Sequence, residues 1–272
     1  MKTLVLSGLG LNCENETAFA CRQAGAEQVD VRHINEIYGR GLNLAEYRFL
    51  VLIGGFLDGD DLGGGQACAN RFRYREKPGG GTFLDELHQF VANEGLVLGI
   101  CNGFQLLVKL GLLSNPGGAE GGGTAGRLVT LSRNANGRFE DRWVRLTANE
   151  SSPCIYTRGI KDISLPIRHG EGRIVARERS HLAGLVDRNL VPLQYAGPDG
   201  KPTEEYPHNP NGSAYGVASL CNETGRVFGL MPHPEAFNHS TNHPQWTRLG
   251  KADQDGDGLI FFKNAYQYLQ ST

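Results

Sequence analysis

Residues 96–110 of the chain read LVLGICNGFQLLVKL, and this stretch decides the fold. Its first five residues form a short apolar run, which predicts a strand covered on both faces, and its last seven are helical in composition. Cys101 stands at the junction, with Gly99 and Gly103 two residues away on either side. This spacing is that of the nucleophile elbow, G-x-Nuc-x-G, in which a strand turns sharply into a helix and presents the central side chain.

Strands and helices alternate in the same way along the first half of the chain. The predicted elements before the elbow are strands at Lys2–Ser7 and residues 49–53 and helices at residues 16–24 and 83–91, the second helix with Thr82 as N-cap and Gly95 as C-cap. Alternation of this kind predicts an α/β fold, in which a mostly parallel sheet carries helices on both faces.

The second half of the chain has short apolar runs separated by Gly, Pro and Asn, which predict strands that are partly antiparallel or lie at a sheet edge. These strands are predicted at residues 143–147, 164–167, 190–195, 214–220 and 227–231, and a last helix at residues 259–269. Glycine-rich runs at residues 63–65, 79–81 and 117–123 are expected to form mobile surface loops. No linker divides the chain, so we predict a single domain over residues 1–272.

The composition excludes several classes of function. The formal net charge of −2 comes without a block of like charge, which argues against a nucleic-acid surface. No apolar run is long enough to span a membrane, and we expect the apolar N-terminal residues to form a buried strand rather than a signal peptide. None of the six cysteines forms a CxxC pair, so we expect free thiols and a cytoplasmic location.

Cys101 is the candidate nucleophile. At the N-terminus of a helix, the macrodipole and the free N–H groups favour the thiolate, which is the reactive form of cysteine. The N–H of Asn102 is placed to bind a developing oxyanion, and Gly54-Gly55-Phe56, which follows the preceding strand, is suited to supply a second donor. The other five cysteines lack this setting, and we interpret them as packing or surface thiols.

A cysteine nucleophile needs a general base and a residue that orients the base. Two H-x-E triplets follow apolar strands, His169-Gly170-Glu171 and His233-Pro234-Glu235, and their spacing does not choose between them. Prolines on both sides of His233 fix the backbone there, whereas glycines leave the backbone loose after His169, which favours the second triplet. Its imidazole would take the thiol proton and later protonate the leaving group, while Glu235 holds the ring.

Further motifs accompany these residues along nearly the whole chain. They are Asn12-Cys13-Glu14, Gly54-Gly55-Phe56 with Gly59-Asp60, Gly99-Ile100-Cys101-Asn102-Gly103-Phe104-Gln105, His169-Gly170-Glu171-Gly172, Asn209-Pro210-Asn211-Gly212-Ser213 and Met231-Pro232-His233-Pro234-Glu235. With them the sequence resembles the glutaminase subunits of phosphoribosylformylglycinamidine synthase, which are class I glutamine amidotransferases of purine biosynthesis. The cysteine and HPE motifs mark class I amidotransferases generally, whereas the GGF, HGEG and NPNGS segments point to this synthase.

The resemblance implies a fold, a site and a reaction. The implied fold is a flavodoxin-like, doubly wound sheet with an added small sheet. The implied site residues are Cys101, His233 and Glu235 as the catalytic triad, and Gly55, Phe56, Asn102 and Gln105 for the oxyanion and the substrate. The implied reaction is the hydrolysis of L-glutamine to glutamate through a cysteine thioester, with the ammonia passed to a synthase subunit.

The resemblance also implies partners for the chain. These are a large ATP-dependent synthase subunit, where ATP and magnesium would bind, and a small subunit that bridges the two. Because the chain has no P-loop, no cofactor is expected in it. The segment His169-Gly170-Glu171 would then be a loop near the site or near the partner interface.

Two patterns that resemble metal sites are discounted, so no metal is expected in the chain. Residues 253–258 resemble the start of a calcium loop, but the twelfth position is Asn264, where a bidentate glutamate is expected. Glu235, His239 and His243 have helical spacing that suits zinc, but prolines bracket the segment and its composition favours a loop.

The sequence departs from the family in two ways. Ala236 follows the HPE motif where the family usually has arginine, and extra residues occur around 66–82, 117–126 and 239–254. Two alternative functions remain open: a glutaminase that serves a different ammonia-using synthase, and a non-catalytic regulatory protein on the same fold.

Overall fold

The computed structural model describes residues 1–39, 42–113, 128–250 and 252–272, and this part of the chain forms eleven strands and seven α-helices. The strands are β1 (Lys2–Ser7), β2 (Gln28–His33), β3 (Phe49–Leu52), β4 (Leu96–Ile100), β5 (Val129–Ser132), β6 (Glu140–Ala148), β7 (Asp162–His169), β8 (Arg173–Ala176), β9 (Leu193–Tyr195), β10 (Ser219–Cys221) and β11 (Val227–Leu230). The helices are α1 (Glu14–Gln23), α2 (Gln66–Tyr74), α3 (Phe83–Ala92), α4 (Asn102–Leu110), α5 (Arg179–Asp187), α6 (Trp246–Leu249) and α7 (Leu259–Ser271). No helix among these residues is both long enough and apolar enough to cross a membrane.

The main sheet has the strand order β2-β1-β3-β4-β11-β10. The strands β2, β1, β3, β4 and β11 are parallel, and only β10 runs antiparallel to its neighbour. The chain starts inside the sheet at β1, moves outward to β2 and then returns to build the other side. The five parallel strands follow the flavodoxin-like doubly wound order, so the predicted α/β fold class is confirmed.

Helix α4 packs directly on one face of the sheet because glycines remove side chains at the contact. A Cβ at Gly99 would lie 2.7 Å from the carbonyl oxygen of Gly103, and a Cβ at Gly229 would lie 2.1 Å from the ring of Phe104. Gly99 and Gly229 are register partners on β4 and β11, so they form one flat patch under the helix. The glycines of the elbow therefore let the backbone of α4 approach the strands closely.

Helix α7 covers the opposite face. Thr3 and Phe49 are register partners on β1 and β3, and both contact Tyr266 of α7. The hydroxyl groups of Thr3 and Tyr266 lie 2.6 Å apart, and the rings of Phe49 and Tyr266 meet edge to face at 5.7 Å. Helices therefore cover both faces, as the sequence pattern predicts.

Two small antiparallel sheets stand beside the main sheet in the described residues, where the resemblance implies one. They are β5 with β8, and β7 with β6 and β9. The three-stranded sheet is tied to the main sheet at the site, because the N–H of His233 donates to the carbonyl of Pro166 on β7 at 2.8 Å.

Several predicted boundaries are wrong in detail. Helix α3 has Thr82 as its N-cap, as predicted, but it ends at Ala92 with Asn93 as C-cap, because Glu94 rather than Gly95 takes the left-handed conformation. The strand predicted at 214–220 is a 3-10 turn, Ala214–Gly216, followed by β10. Helix α2 (Gln66–Tyr74), for which no element was predicted, lies in the region where extra residues relative to the family were expected. The glycine-rich run at 117–123 lies outside the described residues.

Candidate active site

Cys101 lies at the carboxyl end of β4, directly before α4, in a strained backbone conformation. Its φ is 52° and its ψ is −105°, a conformation that costs a non-glycine residue about 1–3 kcal/mol. The N–H of Cys101 donates to the carbonyl of Leu230 at 2.8 Å, which fixes the turn against β11. Cys101 is only 5% exposed, so the thiol is almost completely buried. The elbow predicted from the sequence is therefore present.

His233 and Glu235 lie at the end of β11, the strand that pairs with β4. Because the carboxyl ends of parallel neighbours meet at one edge of the sheet, His233 and Cys101 come together although 132 residues separate them. Nδ1 of His233 lies 2.6 Å from Oε1 of Glu235, and the carboxylate is fully buried. Burial opposes the imidazolium, but the negative charge of Glu235 and the interactions with the Cys101 sulfur outweigh it and raise the pKa of His233 well above its usual value.

Gly54 is the point at which the histidine and the cysteine meet. A Cβ at Gly54 would lie 2.9 Å from Cε1 of His233 and 3.3 Å from Cβ of Cys101. Both side chains therefore contact the same small residue, which follows β3. The structure therefore brings Cys101 together with His233 and Glu235, the histidine and the glutamate of the second H-x-E triplet.

Two backbone N–H groups beside the cysteine have no hydrogen-bond acceptor in the described part of the chain. They belong to Gly55, which has a φ of 133°, and to Asn102, the first residue of α4. By contrast, the N–H of Phe56 donates to the carbonyl of Gly10 at 2.7 Å, so Phe56 cannot donate to an oxyanion from its backbone. Its ring is 47% exposed and remains available to a substrate.

Gln105 is buried, and its carboxamide is already hydrogen-bonded within the protein. Its Oε1 accepts from Nδ2 of Asn102 at 2.8 Å, and its Nε2 donates to the carbonyl of Glu171 at 2.6 Å. Nδ2 of Asn102 also donates to Asp60, whose pKa is raised by burial and by the charge of Glu171. Gln105 therefore fixes the loop after β7 against α4, and any support that it gives to the substrate is indirect.

His169 of the first H-x-E triplet also lies near the site, at the end of β7. Its Nδ1 lies 3.2 Å from Oδ1 of Asn134. Burial, reinforced by the charge of nearby His233, lowers the pKa of His169 to about 3, so its imidazole is neutral at physiological pH. The carbonyl of Arg168, one residue earlier, lies 3.7 Å from Sγ of Cys101. His169 thus packs behind the site, with no carboxylate of its own triplet to orient it.

Cys13 is a residue that the sequence interpretation missed. It was interpreted as a packing or surface thiol, but a ligand atom of Cys13 lies within 4.8 Å of atoms of His233 and Glu235. Cys13 caps the N-terminus of α1 with a φ of 69°, which turns its side chain toward the end of the sheet. Its neighbourhood in the sequence carries no signal of this contact, because 220 residues separate it from His233. All six cysteines are free thiols.

The comparisons with known proteins agree with the fold. A family model of the CobB/CobQ-like glutamine amidotransferase domain matches residues 1–269. The phosphoribosylformylglycinamidine synthase subunit PurQ of Dehalococcoides mccartyi is 38% identical over 99% of this chain and 98% of its own length. The subunit PurQ of Methanococcus maripaludis is 40% identical over 98% of this chain and 97% of its own length.

A solved structure of PurLQS from Thermotoga maritima contains a chain of the same fold. It is 26% identical, with a TM-score of 0.69, and the match covers 98% of both chains. The resemblance stated from the motifs is thereby confirmed. The chain belongs to the PurQ family of glutamine amidotransferases, the family of phosphoribosylformylglycinamidine synthase subunits.

Proposed function

We propose that the chain hydrolyses L-glutamine through a thioester on Cys101 and supplies the ammonia to a phosphoribosylformylglycinamidine synthase. One observation carries this function: a strained cysteine at a strand end meets, at Gly54, an imidazole that is hydrogen-bonded to a buried carboxylate. A cysteine, a base and a residue that orients the base are the set that thioester chemistry needs.

The reaction proceeds in two steps. His233 takes the thiol proton of Cys101, Sγ attacks the side-chain carboxamide carbon of glutamine, and the tetrahedral oxyanion is held by the N–H groups of Gly55 and Asn102. Imidazolium His233 gives its proton to the leaving nitrogen, so ammonia departs and a glutamyl thioester remains. His233 then takes a proton from water, whose oxygen attacks the thioester, and glutamate leaves as Cys101 recovers its proton. Glu235 stabilises the imidazolium throughout.

The ammonia serves a partner subunit in this proposal. The similar structure is that of PurLQS, and the relatives are named as synthase subunits, which supports a complex for this chain as well. Exposed aromatic rings beside the site, Phe56 and Phe139, lie 6.3 Å apart and offer an apolar surface to such a partner. ATP and magnesium belong to the synthase subunit, a small subunit bridges the two, and the complex works in the cytosol.

A labelling experiment tests the nucleophile. A glutamine analogue with an electrophilic diazoketone in place of the carboxamide should alkylate Cys101 first, and peptide mass spectrometry identifies the labelled residue. Cys101→Ala should abolish both labelling and glutamine hydrolysis, a loss of more than about 10³-fold, while circular dichroism shows an unchanged fold. Label on Cys13 or Cys221, or full activity of the variant, would rule out the proposed site.

A second experiment tests the partner. The full chain is used to capture its synthase from the native host, and glutaminase activity is measured with and without the captured protein. We expect the captured protein to convert formylglycinamide ribonucleotide to the amidine in the presence of ATP and glutamine. Capture of a different ammonia-using synthase would contradict the assignment to purine biosynthesis without contradicting the glutaminase.

A further inference from the structure

Cys13 lies beside the catalytic histidine and glutamate, although the thioester reaction has no use for a second thiol. Its Sγ is within 4.8 Å of a ring nitrogen of His233 and of a carboxylate oxygen of Glu235. The elbow and the HPE motif account for the other residues at this place, but not for this sulfur. The motif Asn12-Cys13-Glu14 therefore contains a residue of the site that has no role in the mechanism above.

The helix that follows Cys13 does not explain its backbone conformation. Its φ is 69°, in the left-handed region, which is unfavourable for any residue except glycine. Cys13 is the N-cap of α1, a position where a side chain usually accepts a hydrogen bond from the first turn, but its side chain makes no such bond. The sulfur lies against the imidazole instead of capping the helix.

The turn that carries Cys13 is fixed to the turn of the oxyanion hole. The N–H of Asn12 donates to the carbonyl of Gly54 at 3.0 Å, and Leu11 forms a β-bridge with Gly55. A Cβ at Gly55 would lie 2.6 Å from Cα of Leu11, so the two segments are in close contact. The sulfur is therefore held in one position relative to the oxyanion donors and the imidazole.

The imidazole of His233 is paired within the protein at only one of its nitrogens. Nδ1 lies 2.6 Å from Oε1 of Glu235, whereas Nε2 has no hydrogen-bond partner in the part of the chain that the structure describes, and the residue is 97% buried. Interactions with the sulfurs of Cys101 and Cys13 both favour the protonated ring. In the thioester the sulfur of Cys101 carries the acyl group, so Cys13 is then the thiol that still faces the imidazole.

The titratable groups around the ring have charges that agree with such a role. Burial raises the pKa of the Cys13 thiol, and the charges of Glu235 and Glu16 add to the effect, so this thiol is neutral at physiological pH. Glu235 and Cys101 face the imidazole and favour its cation, whereas His169 faces it as a neutral ring. Cys13 therefore adds a polarisable neutral sulfur to the site and no charge.

We propose that Cys13 is a positioning residue of the glutaminase, whose sulfur holds the imidazole of His233 in its protonated form for proton transfer to the leaving nitrogen. The thiol donates its own proton to Oδ1 of Asn12 at 3.2 Å, so a sulfur lone pair is available to the imidazolium. Cys13 makes no bond to the substrate, and it adds no covalent step. The catalytic role rests on the proposed function, whereas the contact between sulfur and imidazole does not.

That contact is tested without catalysis, in the full-length Cys101→Ala variant, by following the Cε1–H signal of His233 in an NMR pH titration. Cys13→Gly/Cys101→Ala removes the sulfur and keeps the turn, because glycine adopts a positive φ readily. We expect its His233 to lose the proton at lower pH than in Cys101→Ala. Cys13→Ser/Cys101→Ala should recover part of this shift, because a hydroxyl oxygen can also accept from the ring.

The signal is identified by its loss in His233→Asn/Cys101→Ala. If the glycine variant does not fold, Cys13→Ala takes its place. Equal titration of His233 with and without the sulfur would overturn the proposal, whether or not the chain is a glutaminase.

The catalytic role is tested by the pH profile of kcat/KM for glutamine hydrolysis, measured with the partner subunit present. The alkaline limb reports loss of the imidazolium, so Cys13→Gly should move it to lower pH. At alkaline pH we expect kcat/KM to fall roughly two- to tenfold, the range of one lost hydrogen bond. Cys221→Ser removes a buried thiol on β10 and should keep the wild-type profile.

Urea unfolding separates this role from a structural one. Cys13→Gly relieves the strained φ, so its stability should equal or exceed that of the wild type while its pH profile is shifted. A purely structural cysteine would give the reverse, a changed stability with an unshifted alkaline limb, and that result would overturn the proposal. An inactive wild type would contradict the proposed function and leave the NMR titration to decide the contact.

Discussion

Gly54 keeps the imidazole of His233 and the side chain of Cys101 in contact, and its lack of a side chain is needed for that contact. A methyl group at this position would lie 2.9 Å from the His233 ring, so the ring must move. We expect Gly54→Ala to lower kcat for glutamine hydrolysis by at least about tenfold, because small displacements of catalytic groups cost up to about 100-fold. Steady-state kinetics on the purified chain with its partner measures the effect.

The control for this prediction is another glycine whose surroundings are open. Gly184 of α5 has no atom within 4 Å of an added Cβ, so Gly184→Ala should leave kcat unchanged and raise stability by roughly 0.5–1 kcal/mol. A Gly54→Ala enzyme with the wild-type kcat would show that the histidine does not act from its observed position.

His169 makes the stability of the protein depend on pH in a defined window. Its pKa is about 3 in the folded protein and about 6.5 when unfolded, so only the unfolded chain binds this proton between those values. The stability that the folded protein gains from keeping this imidazole neutral is fully present above pH 6.5 and is lost as the pH falls toward 3. His233 has a raised pKa and acts in the opposite direction, because its stabilisation is present below about pH 6.5 and is lost as the pH rises, but this contribution is common to the wild type and a His169 variant.

We therefore expect His169→Asn to weaken the loss of stability in acid. The asparagine amide can replace Nδ1 of His169 in its contact with Asn134. Between pH 7 and pH 5 the wild type should lose on the order of 2 kcal/mol more than the variant in urea unfolding. His208 is exposed, and His208→Asn should keep the wild-type pH dependence. Parallel pH profiles for wild type and His169→Asn would contradict the burial of a neutral imidazole.

The residues of the site were predictable from the sequence to different degrees. Cys101 carries a local signal, since its flanking glycines and the strand and helix around it are all adjacent in the chain. The sequence offers two H-x-E triplets, and only the structure selects His233, because β11, which precedes it, pairs with β4. Cys13 belongs to the motif Asn12-Cys13-Glu14, but that motif does not indicate its position in the site, because only the folding of β1 and α1 against the end of β11 brings it to the imidazole.

At the scale of elements, the flat glycine patch under α4 positions the elbow. A Cβ at Gly229 would lie 2.1 Å from the ring of Phe104, so Gly229→Ala must push α4 away from the sheet. We expect a loss of about 1–3 kcal/mol in the free energy of unfolding, measured with urea. The double variant Gly229→Ala/Phe104→Leu should recover part of that loss, because the smaller side chain makes room. If the double variant recovers no stability, the loss in Gly229→Ala does not come from its contact with Phe104.

Fully buried elements could be predicted from the sequence, whereas exposed or partly buried elements could not. Strands β3 and β4 are completely buried, so their apolar runs reveal them in the sequence. Strand β2 lies at the edge of the sheet, and its only apolar residues are Val29 and Val31, which alternate with polar residues over too short a run to distinguish a strand from a loop. Helix α2 follows a glycine run, and Phe72 and Tyr74 are its only large apolar residues, so no helical period indicates it in the sequence. These elements are stabilised by neighbours that are distant in the sequence.

At the scale of the whole molecule, the small three-stranded sheet and the main sheet share the site and should unfold together. The ring of Trp143 on β6 packs edge to face on Phe237, two residues after Glu235, at 5.0 Å. Backbone bonding between His233 and Pro166 joins the same two parts. Separation of the sheets would therefore expose buried aromatic surface and break the triad, which makes an intermediate with only one sheet folded costly.

We expect one cooperative transition in urea, consistent with a single domain. The chain has two tryptophans, and Trp246→Phe leaves Trp143, on the small sheet, as the only tryptophan, which can be excited selectively over the tyrosines. In this variant the fluorescence transition of Trp143 should have the same midpoint as the far-ultraviolet circular dichroism transition, to which the helices on the main sheet contribute most. The loss of glutaminase activity with urea should have the same midpoint. A fluorescence transition at lower urea would instead identify the small sheet as a separate folding unit, held at the site by contacts that are weaker than the main core.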